Sequence, residues 1–192
     1  MRKLLIVAFA LILVGCASPS VVHHYSSSVE NVVLLRATGN RQVNIGEFTD
    51  SQFRVKTGCR GKTLIAPGGK PYSDYIRNAL ILELANANLY SPVSDRIITG
   101  ELLELNLSSM TNANWLISIK LNLPTGETLE IEERHHFPSA FAGDTACNIA
   151  THAFVTAVQN LIKATTTSPK FRNLIVVPPK SPNTTSHQDA SE

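Results

Sequence analysis

A strict alternation of side chains along residues 115–123 sets the fold class of this 192-residue chain more tightly than any other pattern in it. Every second side chain is apolar and those between are largely polar, in the order Trp115, Leu116, Ile117, Ser118, Ile119, Lys120, Leu121, Asn122 and Leu123. Successive side chains of a β-strand point to opposite faces of a sheet. The pattern therefore predicts a strand with one buried face and one more polar face.

Two further strands are predicted beside this one, at residues 97–107 and 128–137. In the first, Gly100 is expected to mark a β-bulge, because glycine within a strand often does so. In the last, Leu129 and Ile131 should face inward, while Glu130, Glu132 and Arg134 face water. A short proline- and glycine-containing turn at 124–126 joins the second and third strands. The three strands should thus form an antiparallel meander.

Two amphipathic helices flank these strands in the sequence. Ser73 is expected to cap a helix over residues 74–88, and Asp144 to cap a helix over 145–163. A short strand at 43–48 precedes both helices, the glycine-rich segment 57–71 is expected to be a loop, and Ser168 starts a final helical turn. The order β-α-β-β-β-α predicts an α+β two-layer sandwich, a mostly antiparallel sheet with two helices on one face.

The amino terminus carries a targeting signal. Arg2 and Lys3 precede an apolar run over residues 4–14, which is shorter than the ~20 residues that a membrane span needs and is typical of a secretory signal. Residues 13–16, Leu-Val-Gly-Cys, resemble the bacterial lipobox. The resemblance implies cleavage before Cys16, diacylglycerol on its thiol and an acyl chain such as palmitate on its amino group. Because Ala17 rather than Asp follows, it also implies the outer membrane; the alternative is an ordinary secretory signal with a chance cysteine.

The remaining two cysteines, Cys59 and Cys147, form an even pair. In an oxidising periplasm two such thiols usually form a disulfide, and we expect one here. The alternative is a reactive thiol at Cys147, which lies near the predicted start of a helix, where thiolates are favoured.

The chain divides into four regions by composition: a signal peptide at 1–15, the lipidated Cys16 with a flexible tether at 16–40, a periplasmic domain at 41–175 and a disordered tail at 176–192. The tether would let the domain sit tens of Å from the membrane. The whole chain has 17 basic and 15 acidic residues, and loss of Arg2 and Lys3 leaves 15 of each. A neutral mature chain gives no electrostatic support for a nucleic-acid partner.

Short motifs within the domain resemble known envelope proteins. Residues 48–50 (Phe-Thr-Asp), the helix at 75–80, Thr99-Gly100 and the closing helix are similar to small periplasmic α/β lipoproteins of Gram-negative bacteria. That group includes the curli and Pel exopolysaccharide export lipoproteins and the amino-terminal domain of the Tol-system β-propeller protein. Residues 144–147 and 168–171 resemble an uncharacterised lipoprotein family. The resemblance implies proteins that scaffold, gate or assemble envelope machines without catalysis.

The side chains offer little for catalysis. Glu133 and His135 share one face of a predicted strand and are the best pair for a metal, but a solvated strand end accounts for them better. Glu132 and Glu133 point to opposite faces, and no nucleophile motif or phosphate-binding loop occurs. We therefore expect no catalytic residues, no metal and no cofactor.

The sequence favours an accessory or assembly factor that is anchored to the outer membrane through Cys16 and faces the periplasm. Its partner would be another envelope protein or further copies of itself, bound at the second face or an edge of the sheet. The alternative is a lipid or small-molecule binding protein with a cavity of several hundred Å³ between sheet and helices. Tyr72, Tyr75 and Phe141 are either core residues or exposed anchors for a partner.

Overall fold

The computed structural model describes residues 19–51 and 55–177. The signal peptide predicted at 1–15, the predicted lipidation residue Cys16 and the tail from 178 onward lie outside the described residues. The strands are β1 (Ser20–Val21), β2 (Asn44–Asp50), β3 (Val55–Lys56), β4 (Gly58–Cys59), β5 (Lys62–Ile65), β6 (Ile97–Ser108), β7 (Asn114–Asn122) and β8 (Thr128–His136). The helices are α1 (Val29–Thr38), α2 (Tyr72–Asn86), α3 (Gly143–Thr167) and α4 (Pro169–Ile175).

The larger sheet has the strand order β2-β6-β7-β8, with β3 pairing with β6 beyond the end of β2. Strands β6, β7 and β8 form the predicted antiparallel meander, whereas β2 and β3 run parallel to β6. Helices α2 and α3 pack side by side on one face, α2 over β2 and β6, α3 over β7 and β8. The α+β sandwich predicted from the sequence is therefore confirmed.

The core lies between the helices and the inner face of this sheet. Trp115 of β7 is fully buried, and its ring lies 4.8 Å from that of Phe154 on α3. Its indole Nε1 donates a hydrogen bond to the carbonyl oxygen of Ala150 at 2.8 Å. The indole thus contributes both apolar area and a satisfied polar group to the packing of α3 on the sheet.

The strand pairing is irregular on both sides of Gly100. Against β2 the register shifts between Ile45 and Phe48, and Phe48 is the residue that pairs with Gly100, whereas against β7 the register shifts two residues later, between Leu102 and Glu104. Gly100 is buried under the ring of Phe48, and a Cβ atom at this position would lie 2.7 Å from ring carbons. The glycine thus lies beside an irregularity, as predicted, and also allows this close contact between neighbouring strands.

Residues 57–71 were expected to be a loop, and that prediction is wrong for half of them. Strands β4 and β5 form a hairpin whose two turn residues, Arg60 and Gly61, have φ angles of 49° and 85°. Positive φ at both positions is the requirement of a type I′ turn, which matches the twist of paired strands. Strand β1 adds to β5 in parallel, which gives a small second sheet of order β1-β5-β4.

The helix boundaries differ from prediction at two amino termini. Helix α2 begins at Tyr72, before Ser73, and α3 begins at Gly143, before Asp144. The backbone N–H of Ser73 donates a hydrogen bond to the Asp50 carboxylate at 2.9 Å. Asp144 instead forms an ion pair with Lys62 at 2.6 Å. The side chain of Ser168 does cap the last helix, as predicted, by accepting from the Phe171 N–H.

The flexible tether predicted at 16–40 is wrong for the residues of it that the structure describes. Strand β1 and helix α1 occupy much of this stretch, and the Ser28 side chain caps α1 by accepting from the Asn31 N–H at 3.3 Å. The side chains of Val22 and Leu35 are buried in the common core. The folded unit therefore includes residues well before residue 41, from Ser20 onward.

A disulfide joins Cys59 of β4 to Cys147 of α3, as the sequence predicted. The two residues are 88 positions apart, their Cα atoms are separated by 5.7 Å, and both are buried. The bridge fastens the small sheet to the start of α3. It also removes the alternative of a reactive Cys147 thiol, because a bonded sulfur is no nucleophile.

Candidate functional site

The face of the larger sheet opposite the helices carries polar and charged side chains. We call it the outer sheet face; its charged members are Glu101, Glu104, Lys120, Glu130, Glu132 and Arg134. They alternate along their strands with core residues and are half-buried or exposed. An antiparallel sheet commonly has one face packed on the core and one face open to water or to a partner.

Charge is unevenly arranged across the outer sheet face. Ser118 of β7 lies directly between Glu104 on β6 and Glu132 on β8. Lys120 separates Glu101 from Glu130 in the next row. Four carboxylates thus face two cations, so this surface favours a basic or polar partner over an acidic one.

The outermost strands of the larger sheet are poor templates for a further strand. On β2 the Arg77 guanidinium donates to the carbonyl oxygens of Ile45 and Gly46, where the register with β6 shifts. On β8 charged residues occupy most central positions, with Glu130, Glu132 and Arg134 pointing outward. Charged side chains on an edge strand oppose its pairing with another chain. The outer sheet face is therefore a better contact surface than the edges.

A cleft of about 510 Å³ lies beside α2. Its walls come from the amino-terminal segment, the turn after β5 and the middle of α2, and include His24, Tyr25, Ala66, Lys70, Ala79 and Leu82. We call it the α2 groove. The expected cavity was placed between sheet and helices, whereas this groove lies on the far side of α2, under the amino-terminal segment. Its floor is apolar and Lys70 supplies a cation at the rim.

A buried carboxylate fixes the amino-terminal segment that forms one wall of the groove. Glu83 of α2 has no exposed area. Its Oε1 accepts hydrogen bonds from the Tyr25 hydroxyl at 2.5 Å, the Ser28 N–H at 2.8 Å and the Asn31 amide at 3.4 Å. Burial, together with the hydrogen bond to Glu83, raises the pKa of Tyr25 well above its usual range. The Tyr25 phenol thus stays protonated and keeps donating to Glu83.

Sequence reasoning missed Glu83, although a signal for it was present. The apolar positions Ile76, Ala79 and Leu80 place the buried face of α2 where residue 83 also falls. A glutamate on the apolar face of a helix requires donors from elsewhere in the chain. Its partners come from residues 25–31, and no sequence pattern in these residues predicts that they fold onto α2.

Glu133 and His135 lie side by side on the inner face of β8, as predicted, but a helix covers them. The Asn160 amide of α3 donates to the Glu133 carboxylate at 3.1 Å and lies 3.4 Å from Nδ1 of His135. Burial lowers the pKa of His135, and the nearby Glu133 carboxylate opposes that shift. Within residues 19–51 and 55–177, no group of three or more His, Cys, Asp or Glu side chains is arranged to hold a metal ion.

The structure shows which of Tyr72, Tyr75 and Phe141 are core residues and which is exposed. Tyr72 and Tyr75 are core residues, whose rings contact Phe154 at 5.3 and 5.1 Å between centroids. Burial raises the pKa of both phenols. Phe141, in the loop before α3, is fully exposed. Of the three, Phe141 alone is available to a partner.

None of the helices in the described part of the chain is both long and apolar enough to cross a membrane.

Comparisons with known proteins support the fold. No family model matches this sequence, and no curated protein matches it. The chain is similar to a crystal structure of a protein from Xanthomonas campestris assigned to the uncharacterised DUF330 family, with a TM-score of 0.50 and 8% identity over 76% of this chain and 92% of that chain. A second crystal structure, of an uncharacterized protein, has a TM-score of 0.45 and 8% identity over 77% of this chain and 99% of that chain. At this identity the first likeness shows a shared fold, and the resemblance to the curli, Pel and Tol-associated lipoproteins stays a prediction.

Proposed function

We propose that this chain is a lipid-anchored, non-catalytic periplasmic protein of the outer membrane that acts as an accessory or assembly factor of an envelope complex. In this proposal acyl chains on Cys16 hold the protein on the bilayer, and the outer sheet face binds another envelope protein. The observation that carries the proposal is the polar outer sheet face. The helices cover the inner face of the same sheet and form the core with it, so the outer face is left to contact a partner.

The disulfide supports the proposed compartment. Bridges such as Cys59–Cys147 persist in the periplasm and are rare in the cytosol. The lipobox-like residues 13–16 support the anchor. Three acyl chains hold a protein on a bilayer far more firmly than one, which alone binds only marginally.

The charges of the outer sheet face indicate what kind of partner it takes. Two copies meeting face to face would each present four carboxylates and two cations, so both faces would carry an excess of negative charge. Like charges juxtaposed in an interface are strongly unfavourable. We therefore infer a different envelope protein that presents basic or polar groups, and homo-oligomers would have to use another surface.

Two experiments test the anchor and the partner separately. The mass of the Cys16 peptide from purified membranes should include the acyl groups, and Cys16→Ser should release the protein from membranes. For the partner, the tagged protein is cross-linked in living cells and its adducts are identified by mass spectrometry. Glu132→Lys should weaken the adduct, while Asp95→Lys, an equal charge change at an exposed position of the loop before β6, should not. If both variants keep the adduct, the proposed surface is wrong.

The α2 groove supports a second function, the binding of a lipid or small molecule. Its volume of about 510 Å³ falls within the range of small-molecule sites. The exposed Leu82 and the Lys70 cation suit an amphipathic anionic ligand. Native mass spectrometry of protein extracted from membranes should then show a bound ligand that is lost in Asn78→Trp, which fills the groove, and kept in Asn148→Trp at an exposed position of α3. A ligand-free protein would contradict this function.

A further inference from the structure

Strand β1 lies beside the β4–β5 hairpin, at one end of the molecule. Strand β1 runs parallel to β5, with Ser20 opposite Leu64 and Val21 opposite Ile65. Leu64, the partner of Ser20, is two residues from Lys62, which follows the turn at Arg60 and Gly61. Four residue steps separate Ser20 from Cys16, which is about 14 Å of fully extended chain. A lipid on Cys16 would therefore keep Ser20, and with it this end of the domain, within a short reach of the bilayer.

Three segments meet at this end, which we call the hairpin end: the turn at residues 60–61, the loop 109–113 and the loop 138–142. The Arg60 guanidinium donates to the carbonyl oxygens of Ser109 and Ala140, at distances of 3.2 to 3.4 Å. The Ser139 hydroxyl donates to the same Ser109 oxygen at 2.9 Å. These bonds fix the two loops against the hairpin, and the Cys59–Cys147 disulfide lies directly behind them.

Apolar side chains project from the hairpin end into solvent. Phe141 is 103% exposed and Met110 is 58% exposed, and each belongs to a loop that Arg60 holds. Because Arg60 bonds to both loops, the two exposed apolar side chains lie at the same end of the domain and are available for an interaction there. Arg60 is exposed at this end, and the ion pair of Lys62 with Asp144 lies beside the hairpin turn. The charges of that pair compensate each other, and Arg60 adds a positive charge.

We propose that the hairpin end contacts the bilayer that holds the Cys16 anchor, with Phe141 and Met110 inserted at the boundary of headgroups and acyl chains and Arg60 at the level of the lipid phosphates. The proposal rests on the lipid anchor of the proposed function. A lipid surface fits better than a protein partner, because the anchor's reach already places these side chains at the membrane. Aromatic and apolar groups with a nearby cation are the usual composition of such interfacial contacts.

This contact also sets the direction of the domain. Strand β6 ends at the hairpin end after 12 residues, so its start lies roughly 40 Å from that end. The sheet then stands away from the membrane, and its outer face is presented sideways to neighbouring proteins. The described chain ends at Val177, near Asn40, which is at the opposite end of the molecule from Phe141.

A tryptophan placed at the hairpin end reports on the contact. The lipidated full-length protein with Phe141→Trp is incorporated into vesicles of phosphatidylethanolamine and phosphatidylglycerol, with and without brominated acyl chains. Its emission should move to shorter wavelength and lose more than half of the added intensity to the bromines. Val93→Trp, which is 90% exposed in the loop before β6, is the matched control and should not be quenched. The native Trp115 is fully buried and supplies a constant background.

Each outcome decides a different claim. If Cys16 carries lipid but both added tryptophans are quenched equally or neither is, the contact proposed here is wrong and the anchor stands. If Cys16 carries no lipid, the proposed anchor is wrong. The contact is then tested by flotation of the mature chain with the same vesicles, in which Phe141→Ser should reduce binding and Val93→Ser should not. Equal flotation of the two variants would overturn it. A photo-reactive group at residue 141 that attaches to a protein rather than to lipid would overturn it in favour of a protein contact.

Discussion

The two faces of β7 belong to the same nine residues and have opposite roles. Trp115, Ile117 and Ile119 face the helices and are almost completely buried. Ser118 and Lys120 alternate with these residues along the strand. They face outward among the glutamates of β6 and β8. The inner face is completed by residues of this chain alone. The outer face has no such complement among the described residues, so the inner side accounts for stability and the outer side is free to serve binding.

The largest effect on stability is expected from removal of the disulfide, which fastens the small sheet to α3 on the helical side. Replacement of both Cys59 and Cys147 with serine opens a loop of 88 residues and should lower the free energy of unfolding by about 4–5 kcal/mol in the chain-entropy model. Urea denaturation of the oxidised protein and of the double variant measures the difference. Reductant should destabilise the first and leave the second unchanged; equal midpoints without reductant would contradict the structural role of the bridge.

A slightly smaller loss is expected for Trp115→Ala on the inner face. It empties the space against Phe154 and removes the hydrogen bond to Ala150, which should cost about 3–5 kcal/mol of unfolding free energy. Ser118→Ala, on the outer face of the same strand, is the control and should stay within about 0.5 kcal/mol of the native protein. Similar losses in both variants, measured by thermal or urea unfolding, would break the distinction between the faces.

The pH dependence of stability tests the covered face of β8. Burial lowers the pKa of His135 in the folded protein, so the unfolded chain takes up a proton first as the pH falls through its pKa of about 6.5. The free energy of unfolding should therefore decrease as the pH is lowered below this value, until the folded His135 also protonates. His135→Gln should flatten the decrease. An identical profile for His135→Gln and native protein would show that the burial of this ring has no energetic consequence.

The smallest effect on stability is expected from a bulky residue on the outer sheet face. Ser118→Trp should change the free energy of unfolding by no more than about 0.5 kcal/mol, because its side chain points away from the core. The same variant should lose its cross-linked partner in cells. Normal partner binding by a stably folded Ser118→Trp would show that the partner contacts another surface.

The central strands were predictable from the sequence because a period of two is unambiguous over nine residues, as Trp115 to Leu123 illustrate. The pairing of Cys59 with Cys147 followed from their number and from the expected compartment. The amino-terminal segment was not predictable, since α1 is only weakly amphipathic and is held largely by tertiary contacts such as those of Glu83 with Tyr25 and Ser28. The hairpin at 58–65 was missed for a related reason. Its strands, of two and four residues, are too short to show a clear alternation, and β1, which supports it, has only two residues.

The proposed function requires that the outer sheet face binds an envelope partner while the helical side does not. A photo-reactive amino acid placed in living cells at Glu132, on the exposed face of β8, and at Val33, which is 59% exposed on α1, tests this requirement most directly. We expect one discrete adduct of larger mass from residue 132 and none from residue 33. Equal adduct patterns from both positions, or an adduct from residue 33 alone, would contradict it.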